Sequence, residues 1–192
     1  MKTLARRWRA ENVRSILRNW RGNPRGAAAE EFAMILPIAL FLFTGTITYG
    51  NAIYIDRKVT LTARTVADLV TQFSSVAPPT NTDIQTVLGA SSAIIAPYSA
   101  ANLVVTVSEV QTDASGNATV TWSQSLNGTQ RPVGQAITLP STIDGANVTY
   151  ILGEVSYTYT PAIGYLVTGP MTLHDQTYMA PRNSTNIPCT GC

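Results

Sequence analysis

The chain has 192 residues, 45% of them hydrophobic and 12% charged, with one histidine and two cysteines. That balance excludes a disordered tail or a nucleic-acid-binding arm, and one His with two Cys leaves little for a metal site or a histidine-based catalytic centre. The formal net charge of +2 conceals an asymmetry: residues 1–25 hold eight basic side chains against one acid, whereas the remainder holds five basic and ten acidic ones.

Residues 1–26 read as a basic leader. Between Glu31 and Asp56 the chain runs for 24 residues without a charge, FAMILPIALFLFTGTITYGNAIYI. As a helix this run rises about 36 Å, enough to cross a hydrocarbon core of about 30 Å with some tilt. Backbone groups in lipid must pair internally, so a single such run must be helical. A buried helix of a soluble domain is the plainer alternative. A cleaved secretory signal is the sharper one, but its apolar region spans about 7–15 residues before a small-residue site, and no Ala-x-Ala follows here. Lys and Arg stay on the cytoplasmic side of a spanning helix. The expected topology is therefore a cytoplasmic N-terminus, a transmembrane helix over 27–55, an amphipathic continuation over 56–74 and an outer domain over 75–192.

The junction reads NPRGAAAEEFAMILP. A carboxylate at the mouth of a membrane helix is costly unless the helix N-terminus or an amine offsets it, and an interfacial role at a helix start would account for Glu30 and Glu31 by itself. A basic leader ending in Gly26, a Glu at the fifth residue after it, Phe32 next and then an unbroken apolar helix resembles the processing site of type IV pilin-like proteins. Within that superfamily the junction is most similar to TadE-like minor pseudopilins of the Tad (tight adherence, Flp) pilus system. The resemblance implies cleavage by a prepilin peptidase at the Gly26–Ala27 bond, leaving Ala27 as the new N-terminus. It also implies that Glu31 pairs with a pilin N-terminal amine, its own or a neighbour's, during assembly. Glu30 offers a second carboxylate for that pairing.

Pro37 lies in the first turns of the run and removes a backbone donor, so a kink or local loosening is expected there. Thr44, Thr48 and Ala52 recur every fourth residue and give one face small side chains suited to close helix packing. After Asp56, Val59, Thr62, Val66, Leu69 and Phe73 follow three-four spacing, with Arg57, Lys58, Arg64 and Asp68 available for the opposite face. One helix from about Ala28 to about Phe73 is predicted, its part after Asp56 amphipathic, although a separate juxtamembrane helix would carry the same spacing.

SSVAPPTN (74–81) breaks the helix. A short helix follows, with Ile84, Val87, Leu88, Ser91, Ile94 and Ile95 on one face, Asn81 or Thr82 as cap and Pro97 closing it. Period-two alternation then predicts four strands: Leu103–Gln111, Ala118–Leu126, Asn147–Thr160 and Met171–Ala180, the first two joined as a hairpin through TDASGN. LNGTQRPVGQ and TPAIGYLVTGP read as surface loops. The fold class is α+β and membrane-anchored: a long N-terminal helix, then a small pilin-like domain with a short helix and a roughly four-stranded antiparallel sheet.

Trp122, Tyr150, Tyr157 and Tyr159 suit cross-strand packing. His174 lacks a ligand cluster, and Asp56, Asp68 and Asp113 show no catalytic spacing. Asn117, Asn127, Asn147 and Asn183 each open an Asn-x-Thr sequon, which turns and strands rich in these residues also produce. YMAPRNSTNIPCTGC resembles the Pro-Arg and late Cys that close many TadE-like proteins. Cys189 and Cys192 are expected as a tail disulfide or as free thiols rather than as a redox site.

The expectation is a non-enzymatic pilus-assembly protein with no cofactor and no metal. Its expected partners are other pilins and pseudopilins, the prepilin peptidase, the assembly machinery of the inner membrane and membrane lipid, with no nucleic acid. Its expected place is the bacterial inner membrane with the C-terminal domain periplasmic, and incorporation into an extracellular pilus is open. The competing readings are a permanent single-pass anchored binding or adhesion module and an enzyme released by signal cleavage.

Overall fold

A computed structural model describes residues 24–143, 145–161 and 169–192, with side chains from Ala28 onward. The basic leader through Asn23 lies outside the described residues. Helix α1 runs over Pro24–Thr71 without a break at Pro37. It begins about four residues earlier than the apolar pattern predicts. Proline is favoured at a first helical position because its missing N–H has no partner there and its φ is already helical. The helix ends at Thr71, where Gln72 and Phe73 donate to Leu69 and Val70 in three-residue bonds that tighten the last turn.

The chain divides into two compact units, the first ending at Ile47 and the second spanning Thr48–Cys192. In the first, the apolar side chains of α1 point outward: Phe32, Met34, Ile38, Phe41 and Phe43 are all exposed. The hydroxyls of Thr44 and Thr46 donate to α1's own carbonyls, at Leu40 and Phe41 and at Leu42 respectively, so neither requires water. Of the described helices, α1 is the one long and apolar enough to cross a membrane.

In the second unit α1 buries one stripe, Ala52, Ile55, Val59, Ala63, Val66, Ala67 and Val70, at the spacing of a single helix face. Helix α2 (Asn81–Ile95) buries Ile84, Leu88, Ser91 and Ile95 beside it. The cap of α2 is Thr80, not Asn81 or Thr82. Its hydroxyl accepts from the Asp83 N–H while the Asp83 carboxylate accepts from the Thr80 N–H, a reciprocal box that a cap one residue later would lose. These hydrogen bonds hold the Asp83 carboxyl below its usual range. Thr80→Ala is expected to lower stability by about 1 kcal/mol, measured by denaturant unfolding in detergent. At the other end of α2, the Lys58 ammonium donates to the Ile94 and Ala96 carbonyls, 2.7 Å each, where a cation complements the helix C-terminus.

A 3-10 turn (Ala100–Asn102) leads into the sheet of β1 (Leu103–Thr112), β2 (Ala118–Leu126), β3 (Ala136–Ile137), β4 (Thr149–Tyr159) and β5 (Met171–Met179). The order is β3-β2-β1-β4-β5, antiparallel throughout. The sheet therefore has five strands where alternation predicts four. The extra strand is two residues long, too short for a period to register, and follows directly on the LNGTQRPVGQ segment. A bulge opposite Glu109 and Val110 leaves Thr121 as the extra residue of β2.

One sheet face meets the helices through Val105, Val107, Trp122, Ile151, Val155 and Tyr157. Gly153 permits the closest approach: a Cβ there would lie 2.9 Å from the Ala63 carbonyl oxygen and 3.1 Å from the Ala67 Cβ. The opposite face carries a ladder of hydroxyls, Thr106 with Ser125 and Ser108 with Ser123, both 2.9 Å, and a small apolar cluster of Val110, Ala118 and Leu152.

The segment after β5 straps these layers together. Arg182 donates its N–H to Thr71 and pairs its guanidinium with Asp68, while the Asn183 amide donates to Gln72. Ile187 is fully buried: its N–H goes to Glu109 and its carbonyl accepts from the Trp122 indole. Thr190 then bridges Pro79 and Asn81 at the entry to α2, and Cys189 and Cys192 are joined as a disulfide.

Candidate assembly interface

Proline at the start of α1 and the run of alanines after Gly26 favour helix across the junction. The Gly26–Ala27 bond consequently lies in the first turn of α1. The first four N–H groups of a helix have no partner within it, so opening this turn breaks few hydrogen bonds. On a helix, residues three and four apart share a face. Glu30 and Glu31 are three and four residues after Ala27, so both carboxylates stand one turn from the nitrogen that cleavage would free. Both glutamates are exposed, as is Phe32 at 63%. Charge and aromatic ring thus project from the same turn of an outward-facing apolar rod.

The second unit has its own polar features. A cavity of about 350 Å³ opens on the sheet face away from the helices, between Val104, Thr106, Arg131, Glu154, Ser156 and His174. Its floor is a bidentate ion pair: Arg131 Nε and Nη2 reach the two Glu154 oxygens at 2.6 Å. Both partners are partly buried, and the Glu154 carboxylate raises the Arg131 pKa further. Among the described residues no group of three or more His, Cys, Asp and Glu is placed to hold a metal ion.

Glu109 is buried on the helix-facing side. Its carboxylate accepts from the Thr121 hydroxyl and the Ile187 N–H, both at 2.6 Å. Burial pushes its pKa above the ordinary value of 4.5, and those hydrogen bonds oppose the rise. The folded protein thus holds this proton more tightly than the unfolded chain. The resulting stabilisation is complete below about pH 4.5 and is lost as pH rises through the folded value. Glu109→Gln is expected to flatten that part of the stability–pH curve, measured by unfolding at a series of pH values. A parallel curve for the variant would contradict the assignment.

The junction and helix geometry agree with one family comparison. Residues 26–68 match the family model of TadE-like proteins. The match opens at Gly26, crosses the apolar run and stops three residues before α1 ends. No curated protein and no solved structure matches the chain. The TadE-like segment is thus nearly coextensive with the long helix, and the sheet lies outside it.

Beyond the TadE-like segment, the structure gives most sequon asparagines an ordinary task. The Asn117 amide donates to Asp113, that of Asn127 to Ala100 and Leu103, and that of Asn183 to Gln72. Asn127 and Asn147 adopt positive φ of 56°, a conformation in which Asn is enriched. His174 lines the cavity beside Asp175. Glu109 and the Arg131–Glu154 pair carry no sequence signal: Glu109 meets Ile187, 78 positions away, and Arg131 meets Glu154, 23 positions away, and no local spacing marks such pairings.

Proposed function

We propose that this protein is a minor pilin or pseudopilin that takes part in assembling a Tad-type adhesive pilus after cleavage by a prepilin peptidase. The observation that carries the reading is the coincidence of the family match with α1: it opens at the glycine of the junction and covers the helix that would enter a filament. Cleavage after Gly26 removes the positive charges that hold the N-terminus in the cytoplasm, which frees the helix to leave the inner membrane laterally. The new Ala27 ammonium and the Glu30 or Glu31 carboxylate then set the register between neighbouring subunits. Pro37 gives the helix a point of compliance for packing in the filament core. Partners are other pilins and the assembly machinery, the outer domain is periplasmic before extraction, and the protein performs no bond-making chemistry of its own.

Gly26→Val tests this directly. A β-branched side chain obstructs close approach of the backbone to a peptidase cleft. The variant is expected to accumulate in the envelope heavier by residues 1–26, read by intact mass and N-terminal sequencing. A wild-type N-terminus at Met1 would instead support a permanently anchored module, and one beyond residue 50 a protein released by signal cleavage.

A further inference from the structure

Strand register gathers polar side chains of β1, β4 and β5 at the cavity of the second unit. Thr106 pairs with Glu154 and Glu154 with Gln176; two positions along, Val104 pairs with Ser156 and Ser156 with His174. Paired residues, and residues two apart on a strand, share a sheet face. Thr106, Glu154, Gln176, Ser156 and His174 therefore all stand on the face away from the helices. Asp175 borders the cavity from the edge strand, its carboxylate accepting from the Gln176 N–H at 2.8 Å.

The loop after β2 walls the cavity and is fixed at both ends. The Asn127 amide holds its start on the Ala100 and Leu103 carbonyls, and the Arg131 N–H holds its end on the Ser123 hydroxyl at 3.1 Å. Between them Gly128 lies tight on the sheet: a Cβ there would come 2.5 Å from Val104 Cγ1 and 2.9 Å from the Ser125 hydroxyl. From this wall the Arg131 guanidinium reaches over β1 to Glu154. Among the described residues, its remaining N–H groups and the side chains of Ser156, His174 and Gln176 make no hydrogen bond within the protein. They converge on a space of about 350 Å³, inside the range of about 300–1,000 Å³ usual for small-molecule sites.

Charge and hydrogen-bonding capacity narrow the ligand. One guanidinium stands against two carboxylates, Glu154 and Asp175, which disfavours an anion, and the bidentate pairing leaves neither Arg131 nor Glu154 in need of a counter-ion. A donor-only guanidinium and an acceptor-only carboxylate lie beside hydroxyl, amide and imidazole groups that do both. Neighbouring hydroxyls on a sugar ring, each able to donate and accept, match that alternation. We infer that this cavity binds a neutral sugar residue. The wall and the ion pair are in place beforehand, so binding orders little that is not already ordered. The inference is independent of cleavage at Gly26 and of filament entry.

The test titrates the full chain, in a detergent without a sugar headgroup, with mannotriose, lactose, chitotriose, glucuronate and putrescine, read by calorimetry and saturation-transfer NMR. Saturable binding of at least one neutral sugar is expected; chitotriose separates an acetamido sugar from the plain hexoses. Ser156→Val replaces a hydroxyl by methyl groups in the cavity and is expected to abolish that binding. Gln176→Ala is expected to weaken it about threefold or more, the loss of one hydrogen bond. Thermal unfolding shows that each variant is folded, and the exposed Gln176 keeps the test decisive should Ser156→Val not fold. No saturable binding of any neutral sugar overturns the inference. So does tighter binding of glucuronate or putrescine, or binding that the folded variants leave unchanged.

Discussion

Gly153→Val is expected to lower stability by about 3 kcal/mol, near the top of the range for overpacking a well-filled core. The atom in the way is the Ala63 carbonyl oxygen, only 2.9 Å from where a Cβ would sit. That oxygen belongs to a helix ladder and cannot swing aside as a side-chain tip would. Glycine in a strand interior is by itself unfavourable by about 0.5–1 kcal/mol relative to alanine, so a substitution gains a little entropy, but steric overlap decides the sign. Ala67→Gly relieves the 3.1 Å contact and leaves the carbonyl in place; the double variant should recover little. Thermal unfolding in detergent measures both, and an unchanged midpoint for Gly153→Val would show that the helix does not sit on β4 at this point.

The second large effect concerns assembly. Glu30→Gln with Glu31→Gln is expected to reduce filament yield at least tenfold while the protein still inserts and is still cleaved. Two unit charges at about 4 Å attract by about 4 kcal/mol at an effective dielectric near 20, before desolvation is subtracted. A remainder of about 1.4 kcal/mol is a factor of ten in occupancy. The single variants identify the partner: the carboxylate that meets the amine carries the loss alone. Sheared-filament yield against membrane-retained protein gives the readout. Normal yield from the double variant removes the charge-pair mechanism, whatever the processing result.

Much of this molecule is legible in its sequence because its signals are local. The uncharged run and the three-four spacing beyond it mark α1, and strict alternation marks β1, β2, β4 and β5 to within about two residues. The boundaries shift where capping chemistry outweighs periodicity: Pro24 starts α1 before its apolar face begins, and the Thr80–Asp83 box starts α2 one residue before the expected cap. The two-residue β3 is too short to carry a period. Ile187 reads as an isolated apolar residue in a polar tail, yet Glu109 and Trp122 hold both of its backbone groups. The junction is legible for a different reason: a peptidase and a filament of the proposed kind would recognise a contiguous stretch, so its chemistry would be written in consecutive residues.

The strap sets an order of events as the second unit folds. Thr71 and Gln72 at the C-terminal end of α1 obtain their partners from Arg182 and Asn183, more than a hundred positions downstream. In a chain made N-terminus first, α1 and the β1–β2 hairpin exist well before those partners are added, and closing so wide a loop is slow. Until residues 182–190 have been added, Trp122 and the buried Glu109 lack their shared ligand. Chaperones and proteases would thus meet an unlatched intermediate, and a nascent chain stalled short of the strap is the form most exposed to them.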